Sequence, residues 1–405
     1  MNVRRSAAVL AAAAVLGTAV PAVAAGPSPS AARPAGLYGT SDPTYDGVWR
    51  QSLAMIAQDA VGVVPSDRAV DWLAGQQCGN GAFAAYRADT AEPCDARTKT
   101  DTNSTAAAVQ ALATTGGHDA VVDKALTWLK SAQNEDGGWG YAPGGPSDAN
   151  STSVVIGALV AAGTRPQDVR KDGRSPYDAL LRLALPCEGE GAGGFAYQPD
   201  KDGGLTANAD ATAAAVVGAL GETLAGARAG NAEAPPPCEK AADPERAAYN
   251  GAAHLARAMA EDGHLTSSLP GSEDQPDYGN TADAVVALST AGYHDEAAKS
   301  LRWLESHALK WAERSGPAAY AQLVLAAVGA ESDPRDFGGR NLVSLLNATG
   351  PAPAEEPDPD TIRAKGLDPK DDDGVPKAAW AVGGVLLAGA AAGFVLVARG
   401  RRRQS

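Results

Sequence analysis

Four short polar clusters hold most of the groups with which this chain could do chemistry. They are Asp101-Thr-Asn-Ser-Thr105, Asp148-Ala-Asn-Ser-Thr152, Asn208-Ala-Asp-Ala-Thr212 and Asn280-Thr-Ala-Asp283. Each stands immediately before a run of small apolar residues, for example AAAVQALATTG after the first and SVVIGALVAAG after the second. Asp, Asn, Ser and Thr in that place cap a helix, because a side-chain oxygen accepts from a backbone N–H that the first turn leaves free. Unpaired N–H groups and the positive end of the helix dipole collect at the same spot. Brought together, the clusters would offer many partners to a polar ligand with amide or phosphate groups.

What brings them together is a repeat of about fifty residues. One half of the unit is an amphipathic helix with Trp or Leu near its end, as in Arg68-Ala-Val-Asp-Trp-Leu73, Lys124-Ala-Leu-Thr-Trp-Leu129 and Lys299-Ser-Leu-Arg-Trp-Leu304. A glycine-rich loop with an apolar residue follows (Gly81-Ala-Phe83, Gly137-Gly-Trp139, Gly193-Gly-Phe195, Asp262-Gly-His-Leu265), then the polar cluster and the small-residue helix. With a further pair at each end the pattern predicts twelve helices, at about 45–60, 66–77, 101–116, 119–133, 149–163, 174–185, 207–225, 246–261, 278–291, 294–309, 316–329 and 335–348. Helices rich in Ala, Gly and Val approach closely and suit an inner ring, whereas those with a polar back suit an outer one. The expected fold is all-α, an α6/α6 toroid of six inner and six outer helices over residues 45–349. Each glycine-rich loop leads into an inner helix, so the clusters converge at one pole.

The ends read differently. Arg4 and Arg5, the apolar run Ser6 to Val20 and the small residues Ala22-Val23-Ala24 form a secretory signal peptide over residues 1–24. Residues 25–44 read as an unordered segment, and the Pro- and Asp-rich residues 350–377 as an unordered stalk. Ala378 to Ala398 is uncharged over 21 residues, long enough to span a membrane, and the basic residues of 399–405 would hold that end in the cytoplasm. The sequence thus places the bulk of the protein outside the cell on a single-pass anchor in the plasma membrane. Of 34 Lys and Arg, six lie at the two ends, leaving 28 against 48 Asp and Glu. That balance argues against binding nucleic acid. Outside the cell Cys78, Cys94, Cys187 and Cys238 read as two disulfides. Cys78–Cys94 with Cys187–Cys238 closes short loops, and Cys94–Cys187 is a rival.

Lys124-Ala-Leu-Thr-Trp-Leu-Lys-Ser-Ala-Gln-Asn-Glu-Asp-Gly-Gly-Trp-Gly140 resembles the QW repeat of the squalene-cyclase and protein-prenyltransferase superfamily, and Arg68 to Phe83 is a looser copy. The resemblance implies the toroid, with Gln133 and Trp139 as braces between helices. Squalene-hopene-type cyclases protonate their substrate with the central Asp of an Asp-x-Asp-Asp-Thr-Ala motif. Asn208-Ala-Asp210-Ala-Thr212 is the nearest match and has one carboxylate where three belong. The prenyltransferase zinc set of Asp, Cys and His has no evident counterpart, so neither a metal nor a catalytic residue is assigned. The complement-type Gly-Cys-Gly-Glu-Gln thioester is absent as well.

The chain also resembles the secreted cobalamin carriers of the intrinsic-factor and transcobalamin type. They are disulfide-bonded α6/α6 toroids with polar clusters at inner-helix starts. That resemblance implies a ligand site made of Asp101, Asn103, Thr105, Asp148, Asn150, Thr152, Asn208, Asp210, Asn280, Thr281 and Asp283. The expectation it yields is a non-catalytic toroid without a cofactor, capturing a cobalamin-like ligand for a membrane uptake system. The alternatives are a terpenoid-cyclase, prenyltransferase-like or glycan-active enzyme, and a surface protein-interaction module. A deep, aromatic-lined central cavity with a buried Asp pair would favour the enzyme; a shallow polar bowl would favour binding.

Overall fold

The structure is a computed structural model that describes residues 34–227, 238–267 and 274–356. The signal peptide, the membrane anchor, the basic tail and most of the stalk lie outside the described residues. Among the described residues no helix is long and apolar enough to cross a membrane.

Small residues build the inner ring. Six helices, α1 (Gly47–Ala60), α3 (Thr102–Thr115), α5 (Ala149–Ala161), α7 (Ala209–Ala219), α9 (Tyr278–Thr290) and α12 (Pro317–Gly329), each pack against two neighbours, and α12 against α1 closes the circle. Their buried residues are chiefly Ala, Val, Leu and Gly, so the backbones come close. Around them run α2 (Asp67–Gly75), α4 (Asp119–Ser131), α6 (Pro176–Leu183), α8 (Pro244–Ala258), α10 (His294–His307) and α13 (Leu342–Asn347), with a short α11 (Leu309–Ser315) continuing α10. The outer helices bury one face only; α4 buries Val122, Ala125, Leu126 and Leu129. The all-α toroid is therefore present, with thirteen α-helices among the described residues where twelve were expected.

The repeat is held by one recurring bond. In each unit the inner-helix Thr accepts the backbone N–H of the apolar residue in the glycine-rich loop. Phe83 donates to Thr105 at 2.9 Å, Trp139 to Thr152 at 3.1 Å, Phe195 to Thr212 at 2.9 Å and Leu265 to Thr281 at 3.0 Å. These loop residues are buried, and Trp139 also donates its indole N–H to the Leu129 carbonyl at 2.7 Å. Gln133 adds a second tie, from its Nε2 to the carbonyls of Gly137 at 2.8 Å and Val169 at 3.2 Å. Gly137 has to be glycine: its φ is +89°, and a Cβ there would lie 2.3 Å from the Ser175 carbonyl oxygen.

Three boundaries differ from the sequence reading. The helix expected to reach residue 225 stops at Ala219, because Gly221 turns into the left-handed region at φ +75°. The segment expected to be unordered through residue 44 is folded where it is described, with Leu37 and Tyr38 buried. The Tyr38 hydroxyl donates to Gln58 at 2.9 Å, and Gly39 N–H donates to the Thr349 carbonyl at 2.9 Å. Residues just past 350 are likewise attached, through Ala354 N–H to the Val64 carbonyl at 2.9 Å. The entering and leaving segments thus meet across the seam where α1 and α13 flank each other, which supplies the apolar and hydrogen-bonding partners that composition alone did not reveal. Both disulfides take the short-loop pairing, Cys78–Cys94 and Cys187–Cys238.

Thr152→Val keeps the shape of the brace and deletes its acceptor, leaving the Trp139 N–H buried without a partner. It should cost about 1–3 kcal/mol, read as a lowered midpoint in urea unfolding. An unchanged midpoint would mean the loop does not depend on this bond.

Candidate functional site

Aligning the four inner helices on the braced Thr fixes which residues face the axis. The caps are then Asp101, Asp148, Asn208 and Asp277, each accepting from the backbone N–H three residues on. Two positions after the cap stand Asn103, Asn150, Asp210 and Gly279; six positions after it stand Ala107, Val154, Ala214 and Asp283. Residues four apart share a helix face, so these two positions form an upper and a lower layer around the axis.

The sequence-predicted residues accordingly divide. Asp101, Asp148 and Asn208 are caps, and Asp148 also accepts from the Ser151 hydroxyl at 2.8 Å. Thr105, Thr152 and Thr281 are braces. Asn280 does not cap α9: its own N–H donates to Asp277 at 3.1 Å and its amide to the same carboxylate at 2.8 Å. None of these seven lines the axial cavity: their side chains engage backbone groups or, for Asn280, the Asp277 carboxylate. Asn103, Asn150, Asp210 and Asp283 do come together, on the wall of an axial cavity of about 260 Å³.

Below the polar layer the wall is apolar, with Leu53, Val154, Ala213, Val217, Val286 and Leu325. Trp49 is its aromatic residue. The floor comes from Glu222, Thr223 and Leu224, the segment released when α7 ends early. Gln110 fastens that floor, accepting from Leu224 N–H at 2.8 Å while its amide donates to the Val154 carbonyl at 3.0 Å. Gly157 makes room for it, since a Cβ there would sit 2.7 Å from Gln110 Nε2.

Electrostatics single out the two aspartates. Both are partly buried and line the cavity. Burial pushes the Asp283 carboxyl up to about 7, with the Gln322 amide opposing and the charges of Asp210 and Asp277 adding to the rise. Gln322 Nε2 reaches both Asp283 oxygens, at 2.9 and 3.1 Å. Asp210 is raised by burial too, against a 2.7 Å bond from Asn150 Nδ2 that favours its ionised form. Glu222 is raised by burial. Burial thus disfavours the anion at both groups, and the Asn150 amide favours it at Asp210. Such a pair can give a proton at one oxygen and take one at another.

Sequence reasoning missed Trp49, Ser153, Glu222 and Gln322. Gln322 and Trp49 lie on inner helices without the polar cluster, so no motif marks them; Glu222 was hidden by the expected continuation of α7. Registering the repeat on the Thr, four residues after each cap, would have shown that Asp283 sits one turn deeper than Asp210.

The raised Asp283 makes the fold pH-sensitive. Its folded-state pKa lies above the ordinary aspartate value, so between about pH 4 and 7 the unfolded chain releases a proton that the folded chain keeps. Stability contributed by this group falls as pH rises through that window and stays low above it. Asp283→Asn should flatten this dependence and stabilise the protein at pH 8, by at most on the order of 4 kcal/mol from about 1.4 kcal/mol per pKa unit. Urea unfolding at pH 5 and pH 8 checks the difference; equal effects at both would refute the assignment.

Residues 42–203 match the prenyltransferase alpha-alpha toroid domain. A curated relative, drimenyl diphosphate synthase of Streptantibioticus cattleyicolor, is 36% identical over 80 residues, covering 20% of this chain and 13% of its own length. Similar solved structures include a protein from Actinoplanes (18% identity, TM-score 0.45, 73% of this chain and 80% of that one) and ent-copalyl diphosphate synthase from Streptomyces platensis (18% identity, TM-score 0.46, 70% and 50%). The expected non-catalytic carrier of a cobalamin-like ligand is corrected by the curated relative, which is a diphosphate synthase; the inner-helix starts open onto an axial cavity lined by Asp210 and Asp283. Over residues 42–203 the chain is thus similar to the prenyltransferase alpha-alpha toroid domain, and its described helices form an α/α toroid.

Proposed function

We propose that the protein is a terpenoid-cyclase-like enzyme that adds a proton to an isoprenoid double bond inside the axial cavity. The observation that carries this reading is that Asp210 and Asp283 line one axial cavity whose wall is otherwise largely apolar. The curated synthase relative supports the same class of chemistry.

In this mechanism Asp283 holds the proton because burial disfavours its anion. A carboxyl kept loaded in that way is a weak acid, so the driving force must come from stabilising what proton transfer creates. Gln322 Nε2 receives the new carboxylate, already placed against both oxygens. The cation formed on the hydrocarbon lies near the Trp49 ring and the Asp210 carboxylate, both of which attract positive charge. The C=C pair takes the Asp283 proton, ring closure moves the cation along the chain, and Asp210 removes a proton from the final cation to restore a double bond. The turnover leaves Asp283 ionised and Asp210 protonated; Asp210 then releases its proton to solvent and Asp283 takes one from solvent, which restores both for the next cycle. The apolar wall withholds water that would quench the cation.

We also infer that the toroid works outside the cytoplasm, on the anchor read from residues 378–398. The two disulfides support an oxidising compartment.

The test is incubation of the purified protein with linear isoprenoids in D2O, with products resolved by gas chromatography and mass spectrometry. A cyclised or isomerised product carrying deuterium is expected. Asp283→Asn and Asp210→Asn should each lower kcat by about 10²–10⁴-fold, and wild-type activity should fall as pH rises through about 7. Full activity in Asp283→Asn, or an isoprenoid panel left unchanged by the wild type, would sink the reading.

A further inference from the structure

One glycine of the inner ring has no backbone reason to be a glycine. Gly279 takes the upper-layer position that Asn103, Asn150 and Asp210 hold in the other units. It lies in the first turn of α9, and its φ is not among the positive ones. A Cβ built there meets nothing closer than 3.6 Å among the described residues, which is ordinary contact. Gly157 and Gly218, on the neighbouring inner helices, would instead meet side chains at 2.7 and 2.6 Å. Alanine at 279 would fit and would leave the unfolded chain less freedom, so glycine here gives up stability.

What the missing side chain leaves is room for one methyl group, directly over the acid. Gly279 stands four residues before Asp283, one turn above it on the same helix face. Gln322 borders both: its Nε2 is 2.9 Å from Asp283 and would lie 3.6 Å from a Cβ at 279. The second border is Trp311, whose Cζ2 would also lie 3.6 Å away. Stacking holds that ring, on Tyr278 at 5.7 Å, and Tyr278 stacks in turn on Trp303 at 5.3 Å. Gly279, Asp283, Gln322 and Trp311 all keep accessible surface. Asp283 and Gln322 line the axial cavity, so the room above them adjoins it.

We propose that Gly279 is a specificity-determining position, whose gap receives one methyl of the substrate's branched double bond and so seats that bond over Asp283. The inference rests on the isoprenoid reading above and deepens it, from the class of substrate to the substitution of the bond that is protonated. A double bond with two methyls on one carbon gives a tertiary cation, and one of those methyls is what the gap admits. A side chain at 279 occupies the same room and lifts the bond off the acid.

The experiment incubates the full-length wild type and Gly279→Ala in D2O with farnesol, farnesene and farnesyl diphosphate and measures deuterium in the products. For the compound turned over fastest, an analogue lacking one terminal methyl is run beside it. Gly279→Ala should unfold at a urea midpoint equal to or above that of the wild type. It should nevertheless lose about 10–200-fold in kcat/KM on the parent compound, the discrimination one extra carbon brings in a closed pocket. On the analogue the two proteins should match, because the alanine methyl fills the room that the analogue leaves. Undiminished turnover of the parent by Gly279→Ala, or an equal loss on parent and analogue, would overturn the proposal and keep the isoprenoid reading. A lowered midpoint would make the glycine structural and overturn it as well. No deuterated product from the wild type with any of the three would instead remove the isoprenoid reading and this inference with it.

Discussion

A threonine hydroxyl accepting a loop amide is the interaction on which the rest of this toroid depends. It joins three things at once: the end of an outer helix through the glycine-rich loop, the buried apolar side chain of that loop, and the first turn of the inner helix. Because the Thr lies four residues after the cap, it also sets the rotation of each inner helix about its own axis. That rotation decides which side chains look inward. Move the brace by one residue and the aspartates would turn by about 100°, into the neighbouring helices.

The fold was largely legible because its signals are local and repeated. Helix caps, glycine-rich turns and the Trp/Leu periodicity of the outer helices recur often enough to correct one another. The glutamine and tryptophan of residues 124–140 pointed to the family for the same reason, as they recur for structural work. The segments at the seam were not legible. Leu37 and Tyr38 sit in a stretch of Pro, Ala, Gly and Ser, and only the three-dimensional proximity of α1 and α13 gives them something to bury against.

The site was legible in part, and the part that failed has a physical reason. Polar residues at inner-helix starts serve two masters: capping consumes the oxygens of Asp101, Asp148 and Asn208, while the next inward positions are left for a ligand. Composition cannot separate these roles, since Asp and Asn supply both. Asp283 illustrates the limit most clearly. Its sequence neighbours Asn280 and Thr281 made it look like a member of a surface cluster, yet a turn of helix carries it below the cap layer, where burial changes its protonation. An aspartate read as a lone residue in its own motif gains a partner from the adjacent helix.

The floor of the cavity behaves unlike every other part of its wall. Leu53, Val154, Val217 and Leu325 belong to helices that must keep their length and phase for the ring to close, so the diameter of the chamber is bound to the architecture. Glu222, Thr223 and Leu224 belong to a connection, secured by Gln110 at a single backbone amide. Lengthening, shortening or re-pointing that connection would raise or lower the base without disturbing any inner helix. Width is thus conserved by geometry while depth is free to drift, and relatives of this chain could be tuned to longer or shorter guests by edits to one loop.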